Sequence, residues 1–127
     1  MPNEIVYVSA RTARTYRWDE SLFSFLVTGE ESGGSYSTME ILVAPDKGAG
    51  LHVHENEEEQ FYILEGQLTY WVGDKTFQVS TGDFVHIPRG TTHGFMNGNT
   101  PAKLLATFSP AGPEKFFQET GELVDGE

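Results

Sequence analysis

Residues 50–66, GLHVHENEEEQFYILEG, give the most direct indication of the fold. It opens on two histidines, His52 and His54, and reaches Glu59 after four polar residues. On a β-strand, residues two apart point to the same face at a separation of about 6–7 Å. Two such imidazoles can converge on one cation, and a short turn would let the strand of Glu59 return antiparallel beside them. The stretch therefore favours a β-rich fold that carries a histidine and carboxylate cluster.

A second stretch, GDFVHIPRGTTHGFMN at residues 82–97, offers a third imidazole from His93. It follows a predicted turn at Pro88–Gly90, where proline fixes φ and glycine permits a left-handed residue. Three neutral nitrogens and one carboxylate oxygen suit a borderline divalent transition metal. Such a set leaves coordination positions open, which a catalytic metal needs. Glu58 is the alternative carboxylate if the turn before Glu59 is one residue shorter.

Most of the remaining sequence reads as short strands. Nine Phe, five Tyr and two Trp accompany many β-branched residues, and fourteen Gly and six Pro interrupt them at short intervals. This pattern predicts an all-β sandwich or barrel, with one short helix between Pro113 and Gly121 and a frayed acidic tail. A hairpin turn is predicted at Gly73-Asp74. The predicted strands are 3–8, 22–28, 36–43, 60–65, 67–72, 75–79, 83–88 and 102–109.

Charge and composition exclude several classes of function. Eight Lys+Arg against nineteen Asp+Glu give a net charge of −11, which opposes binding to nucleic acid and to anionic membranes. The Arg11–Arg17 segment is expected at the surface and is too small for a basic patch. There is no cysteine, so thiolate chemistry and disulfides are excluded. No secretory signal or membrane-spanning run is visible, and we expect a cytoplasmic protein.

The partners that remain are a small molecule, a metal cation and a second copy of the chain. The 127 residues suffice for one domain, which we place at 1–127. A small open-edged barrel often covers its edge by pairing with another copy. We therefore predict a homodimer, with segment 3–18 as the exchanged or packed element.

The two stretches resemble the two motifs of the cupin superfamily. The first motif, G-x5-H-x-H-x3–4-E-x6-G, spans residues 46–66, and Asp46 stands where its opening glycine is expected, with Gly48 and Gly50 nearby. The second motif, G-x5-P-x-G-x2-H-x3-N, spans 82–97 and is matched at every position. The matching residues are His52, His54, Glu59 and Gly66 in the first motif and Gly82, Pro88, Gly90, His93 and Asn97 in the second.

The resemblance implies a fold and a metal. The fold would be an antiparallel jelly-roll barrel (a double-stranded β-helix) with a short C-terminal helix. The family's metal ligands correspond to His52, His54, Glu59 and His93. They would hold one divalent ion, and iron, manganese, nickel, cobalt, copper and zinc all accept this set.

The segments EEQFYILEG and FSPAGPEKFFQETG are similar to small cupins related to quercetin 2,3-dioxygenase. This resemblance implies a dioxygenase-like oxidoreductase that acts on a small phenolic or enolisable substrate. The ligand glutamate doubles as the general base in that family, which makes Glu59 the candidate catalytic residue. A base of this kind is expected to have a raised pKa. The alternatives are a metal-dependent isomerase or lyase of a small sugar or keto acid, and a non-catalytic metal-containing binding module.

Two sets of residues stay open at this point. His86 matches no ligand position and is expected to pack or form a hydrogen bond. A few large apolar residues fit either an apolar substrate pocket or the plain core, and the core is favoured for most of them. These residues are Met39, Phe61, Ile63, Trp71 and Phe95.

Overall fold

Two antiparallel β-sheets face each other across the core in a computed structural model, which describes residues 4–124. The strands are β1 (Arg14–Trp18), β2 (Ser21–Val27), β3 (Ser37–Val43), β4 (Gly48–His52), β5 (Glu58–Glu65), β6 (Gln67–Val72), β7 (Lys75–Ser80), β8 (Phe84–Ile87), β9 (His93–Asn97), β10 (Ala102–Ser109) and β11 (Glu122–Val124). The helices are α1 (Gly29–Ser32) and α2 (Glu114–Thr120). One sheet has the order β11-β1-β2-β3-β10-β5-β8, and the other has the order β4-β9-β6-β7.

The predicted all-β jelly-roll fold with a short C-terminal helix is confirmed. Strand β10 alternates between buried and half-buried positions along its whole length, as a strand with one face on a core must. The predicted hairpin joins β6 to β7 through Gly73-Asp74, with Val72 opposite Lys75. Among the described residues, no helix is long and apolar enough to cross a membrane.

The core lies between the inner faces of the two sheets. Met39, Ile63 and Leu104 of the larger sheet and Tyr70 of the smaller one have no exposed surface. Full burial of a Met, Ile or Leu side chain contributes about 1.5–3 kcal/mol. This apolar core does not include the predicted ligands, so we expect the barrel to fold without an ion.

The structure corrects both ends of the predicted topology. Residues 4–8 form no strand, and residue 3 lies outside the described part of the chain. Strand β1 pairs with β2 on one side and with β11 on the other, so it has no free edge for another strand. The tail predicted to fray instead supplies β11, with Leu123 opposite Tyr16, while residues 125–127 lie outside the description. The homodimer and the single domain across 1–127 stay predictions.

Asp46 stands where the first motif has its opening glycine. Asp46 itself adopts the left-handed conformation, with φ +62°, which aspartate tolerates better than most residues. Gly48 and Gly50, which lie nearby in the sequence, do not have a positive φ. Gly48 is needed for another reason, because a Cβ atom there would clash with the carbonyl oxygen of Phe95 on the paired strand.

Candidate metal centre

Four predicted ligands come from three parts of the barrel. His52 ends β4 and lies opposite His93, the first residue of β9. His54 follows in the loop after β4, and Glu59 lies on β5 in the other sheet. The expected antiparallel pairing of the histidine strand with the Glu59 strand is wrong. The loop between them crosses from one sheet to the other, and Glu59 meets the imidazoles across the core rather than along a ladder.

The side chains converge on one point. One ligand atom from each of His52, His54, Glu59 and His93 can be chosen so that all four atoms lie within 4.8 Å of one another. Glu59 Oε2 lies 3.0 Å from His54 Nε2 and 3.0 Å from His93 Nε2. Glu59 is 2% exposed and His93 is 1% exposed, whereas His52 and His54 are half-buried towards the opening.

The other ring nitrogen of each histidine is held by an acceptor. Nδ1 of His52 lies 2.6 Å from the carbonyl oxygen of Gly50, and Nδ1 of His93 lies 2.9 Å from that of Thr91. A carbonyl oxygen can only accept, so each Nδ1 carries a proton. The same argument applies to His54, whose Nδ1 lies 3.2 Å from a carboxylate oxygen of Glu57. In the neutral rings the lone pairs are therefore on Nε2, which is the usual arrangement of histidines that bind metals.

Two atoms at the centre have no well-directed hydrogen bond. Glu59 Oε2 and His93 Nε2 are both buried and both lack such a partner, although they lie 3.0 Å apart. With protons on the Nδ1 atoms, lone pairs of the carboxylate and the imidazoles face each other. Only a cation, either a proton or a metal ion, makes that arrangement favourable. The donor set therefore fits a divalent transition metal.

Without an ion, a proton on Nε2 of His54 or His93 takes the place of the cation and bonds to the Glu59 carboxylate. Burial raises the pKa of the Glu59 carboxyl, but hydrogen bonds and charge from His54 and His93 outweigh it and lower the pKa to about 2. The expected raised pKa of Glu59 is thus wrong for the metal-free protein. The hydrogen bond to Glu59 raises the pKa of His54. Burial lowers the pKa of His93, but Glu59 and the Thr91 carbonyl raise it overall. Burial also lowers the pKa of His52.

An apolar cavity of about 370 Å³ opens onto this cluster. His52, His54 and Glu59 form its polar part, and most of the remaining lining is aromatic. No Lys or Arg of the described chain lines it. The aromatic residues are Trp18, Phe23, Phe61, Phe95, Phe108, Phe116 and Phe117.

The five residues left open between pocket and core divide three ways. Phe61 and Phe95 line the cavity, whereas Met39 and Ile63 are fully buried in the core. Trp71 does neither, because it is 37% exposed and does not line the cavity. Sequence reasoning did not assign the other aromatic residues to a pocket. A signal existed for Phe108, since it lies opposite Glu59 in the ladder and shares its face, but the register was needed to use it.

Three further residues singled out in the sequence lie outside the cluster. His86 is exposed, with Nδ1 3.3 Å from the Gln60 amide, and lies outside the cluster. The alternative carboxylate, Glu58, is not part of the cluster. Asn97 holds backbone groups of the loops: its amide donates to the Val43 and Thr100 carbonyls at 3.1 and 2.7 Å.

Comparison with known proteins agrees with this architecture. The chain is 36% identical to quercetin 2,3-dioxygenase of Bacillus subtilis over 75 residues, which cover 59% of this chain and 22% of that protein. It is 30% identical to quercetin 2,3-dioxygenase of Aspergillus japonicus over 116 residues, which cover 86% of this chain and 33% of that protein. The chain therefore spans between a fifth and a third of the length of these relatives.

Solved structures of low sequence identity share the fold. A predicted oxalate decarboxylase from Thermotoga maritima superposes with a TM-score of 0.76 at 24% identity, covering 82% of this chain and 98% of that one. The family model for the cupin domain matches residues 39–108, which include both motifs and all four residues of the cluster. That match takes in more than half of the 127 residues, and the chain belongs to the cupin family.

Proposed function

We propose that this cupin is a metal-dependent dioxygenase that acts on a small phenolic or enolisable substrate, like the quercetin 2,3-dioxygenases to which it is similar. The observation that carries the proposal is the aromatic cavity of about 370 Å³ with His52, His54 and Glu59 in its lining. Volumes of this size suit small organic ligands, which are usually held by apolar walls and oriented by a few polar groups. In this cavity the proposed metal ligands His52, His54 and Glu59 are the polar groups that would orient the ligand.

The proposed ligands are His52, His54, Glu59 and His93, and they would hold one divalent ion. Iron, manganese, nickel, cobalt, copper and zinc all accept this ligand set. When bound, the ion supplies a Lewis acid with open coordination positions beside the cavity. The acceptors at Gly50, Thr91 and Glu57 fix the rings, so the chain presents its Nε2 atoms without further rearrangement.

The cavity walls orient the substrate and exclude water. Phe61, Phe95 and Phe108 surround the polar part with rings, and burial of a flat apolar molecule against them displaces water. A substrate whose acidic hydroxyl lies at one end and whose rings lie at the other would place the hydroxyl at Glu59. In a dry cavity, interactions between charged groups are stronger than in water.

Glu59 is the proposed general base. Its carboxylate is ionised at neutral pH and is almost completely buried. The hydrogen bonds that lower its pKa come from protonated Nε2 atoms of His54 and His93, and they are lost when those nitrogens give up their protons. Burial still acts on the Glu59 carboxylate after that loss, and it raises its pKa. Its proposed task is to accept the proton of the substrate hydroxyl.

The lining also bears on the isomerase and lyase alternatives. A phosphorylated sugar or a keto acid carries negative charge and calls for Lys or Arg near the site. No such residue lines the cavity in the part of the chain that the structure describes, and the net charge of −11 further opposes anionic substrates. These observations favour a neutral aromatic substrate.

The test is dioxygen uptake by the protein loaded in turn with each candidate metal, measured with a panel of flavonols and simpler enolisable phenols. We expect consumption of dioxygen and a ring-cleaved product detected by mass spectrometry. Glu59→Gln should abolish uptake, while Glu58→Gln, its neighbour outside the cluster, should retain it. Tight binding without turnover would instead identify a binding module, and a rearranged product without dioxygen uptake would identify an isomerase or lyase.

A further inference from the structure

Four aromatic side chains of the cavity form a group that we call the aromatic wall: Trp18, Phe23, Phe116 and Phe117. The rings of Phe23 and Phe117 are stacked, with centroids 4.0 Å apart and planes inclined by 19°. Trp18 meets Phe116 edge-on at 5.2 Å and Phe117 edge-on at 6.0 Å. All four residues lie outside the segment matched by the family model, which spans 39–108.

The helix that carries half of the wall is tied down at its start. Glu114, the first residue of α2, is 4% exposed although it is charged. Its carboxylate accepts hydrogen bonds from the backbone N–H of Gly29 at 2.8 Å and of Gly112 at 2.9 Å. Hydrogen bonds to a charged group are typically worth about 1.5–3 kcal/mol. This anchor fixes α2 to the segment that follows β2, the strand of Phe23.

The same helix is tied down at its end. Strand β11 follows α2 directly and pairs with β1, so that Glu122 lies opposite Arg17 beside Trp18. With both ends held, α2 forms a fixed boundary of the cavity. Phe116 is 47% exposed at the outer side of this boundary, while Phe117 is half-buried behind it. Because these side chains are already held in place, ordering them reduces the binding free energy of a ligand only slightly.

We infer that the aromatic wall recognises a second aromatic ring of the substrate and that Phe117 is a specificity-determining residue. The inference rests on the proposed function, since it assigns the cavity to a substrate whose enolic hydroxyl lies at the metal centre. Offset or edge-on contacts between rings contribute about 0.5–1.5 kcal/mol beyond simple burial, which an aliphatic group cannot match. Substrates with a pendant ring are thereby selected over substrates that carry only the metal-binding end.

The test compares two probes that share one hydroxyketone and differ by one phenyl ring, 3-hydroxyflavone and 3-hydroxychromone. Their affinities are measured by titration of the full chain loaded with Zn²⁺, which has no redox chemistry and keeps turnover out of the measurement. We expect the wild-type protein to favour 3-hydroxyflavone. Phe117→Leu, which keeps an apolar side chain but removes the ring, should reduce that preference about fivefold, within the range that ring contacts contribute.

The controls separate the wall from the metal centre and from the fold. Phe84→Leu changes an exposed phenylalanine outside the cavity and should leave the preference unchanged. Zinc affinity should stay within about twofold in every variant, because no ligand is touched. If Phe117→Leu does not fold, the more exposed Phe116→Leu provides the same comparison at the outer side of the wall.

Each outcome separates this inference from the proposed function. An unchanged preference in both Phe117→Leu and Phe116→Leu overturns the wall and leaves the dioxygenase proposal to its own test. A lost preference without dioxygen uptake for any metal supports the wall and overturns the dioxygenase. Failure of the wild-type protein to bind either probe overturns the wall, and dioxygen uptake with the wider panel of phenols then decides the dioxygenase proposal.

Discussion

The metal centre and the aromatic wall share one cavity but are built from different parts of the chain. The centre uses His52, His54, Glu59 and His93, all within the segment typical of the family. The wall uses rings that precede and follow that segment. The candidate ligands therefore belong to the common barrel, whereas part of the cavity wall in front of them comes from segments on either side of it.

The two regions also differ in what holds them. At the centre, buried polar atoms depend on each other and on a cation, so that loss of one group leaves the others without a partner. At the wall, apolar rings depend on packing and on two tethers, Glu114 and β11. We therefore expect changes in the centre to act on metal binding and changes in the wall to act on the fit of the ligand.

The largest expected effect comes from His93→Ala, which should remove a ligand and abolish stable metal occupancy. The loss should exceed the roughly 10–100-fold decrease in affinity typical when only an outer partner of a ligand is removed. Tm should fall modestly below that of the metal-loaded wild type, because the variant lacks the ion that stabilises the native state. Plasma mass spectrometry of the purified variant measures the metal, and His86→Ala is the matched control. A full equivalent of metal in His93→Ala would show that His93 is no ligand.

The pH dependence of the metal-free protein tests the centre without any ion. The pKa of Glu59 is lowered from 4.5 to about 2, so its contribution, on the order of 3 kcal/mol, is present above pH 4.5 and is lost as pH falls towards 2. The pKa values of His54 and His93 are raised, so their contribution is present below pH 6.5 and is lost as pH rises through the folded-state values. Thermal melting with a chelator should therefore show a maximum near pH 4.5–6.5 from these groups. Glu59→Gln should flatten it.

The anchor of the wall should affect stability more than metal binding. Glu114→Ala leaves the partly buried N–H groups of Gly29 and Gly112 without their acceptor, and loss of a hydrogen bond to a charged group typically costs about 1.5–3 kcal/mol. Chemical denaturation should show this loss, and the preference for 3-hydroxyflavone should fall as α2 loosens. Zinc affinity should not change. A tenfold weaker zinc affinity in this variant would contradict the separation of the two regions.

A smaller effect is expected from the partner of His54. Glu57→Gln removes the charge next to Nδ1 of His54 and should weaken metal binding about tenfold, at the low end for such outer groups. Isothermal titration with Zn²⁺ measures the change. Glu55→Gln, an exposed neighbour in the same acidic loop, serves as the control and should behave like the wild type. An equal effect of both changes would indicate general electrostatics instead of a specific contact.

The smallest effect is expected from an exposed ion pair between β11, the second tether of the wall, and β1. Arg17 and Glu122 form an ion pair of 3.3 Å between β1 and β11, and both side chains are largely exposed. Exposed pairs contribute about 0–1 kcal/mol, so Arg17→Ala should change Tm only slightly. Differential scanning calorimetry would detect a larger loss, which would mean that this pair, rather than the ladder, holds β11 in place.

Local patterns predicted seven of the eleven strands that the structure describes and the four residues of the cluster, because periodicity and motif spacing are properties of short segments. They missed β1 and β11, and the strand predicted at 3–8 is not formed by residues 4–8. The pairing of strands was less accessible: the loop after His54 crosses between sheets, which depends on contacts far along the chain. The aromatic wall was harder still, since nothing local shows that Trp18 and Phe116 meet. Asp46 shows another limit, because the motif has glycine at this position and only the structure shows that Asp46 is left-handed there.

The pairing of β1 with β11 has a consequence for redesign. Thr15 and Val124 are cross-strand neighbours, so a short hairpin could connect β11 directly to β1, with new termini opened at Gly73-Asp74. Such a circular permutant would omit residues before β1 and would join β11, one tether of the wall, to β1 in one continuous hairpin. Its resistance to proteolysis, compared with that of the parent, would show how much a covalent link between β11 and β1 protects the barrel.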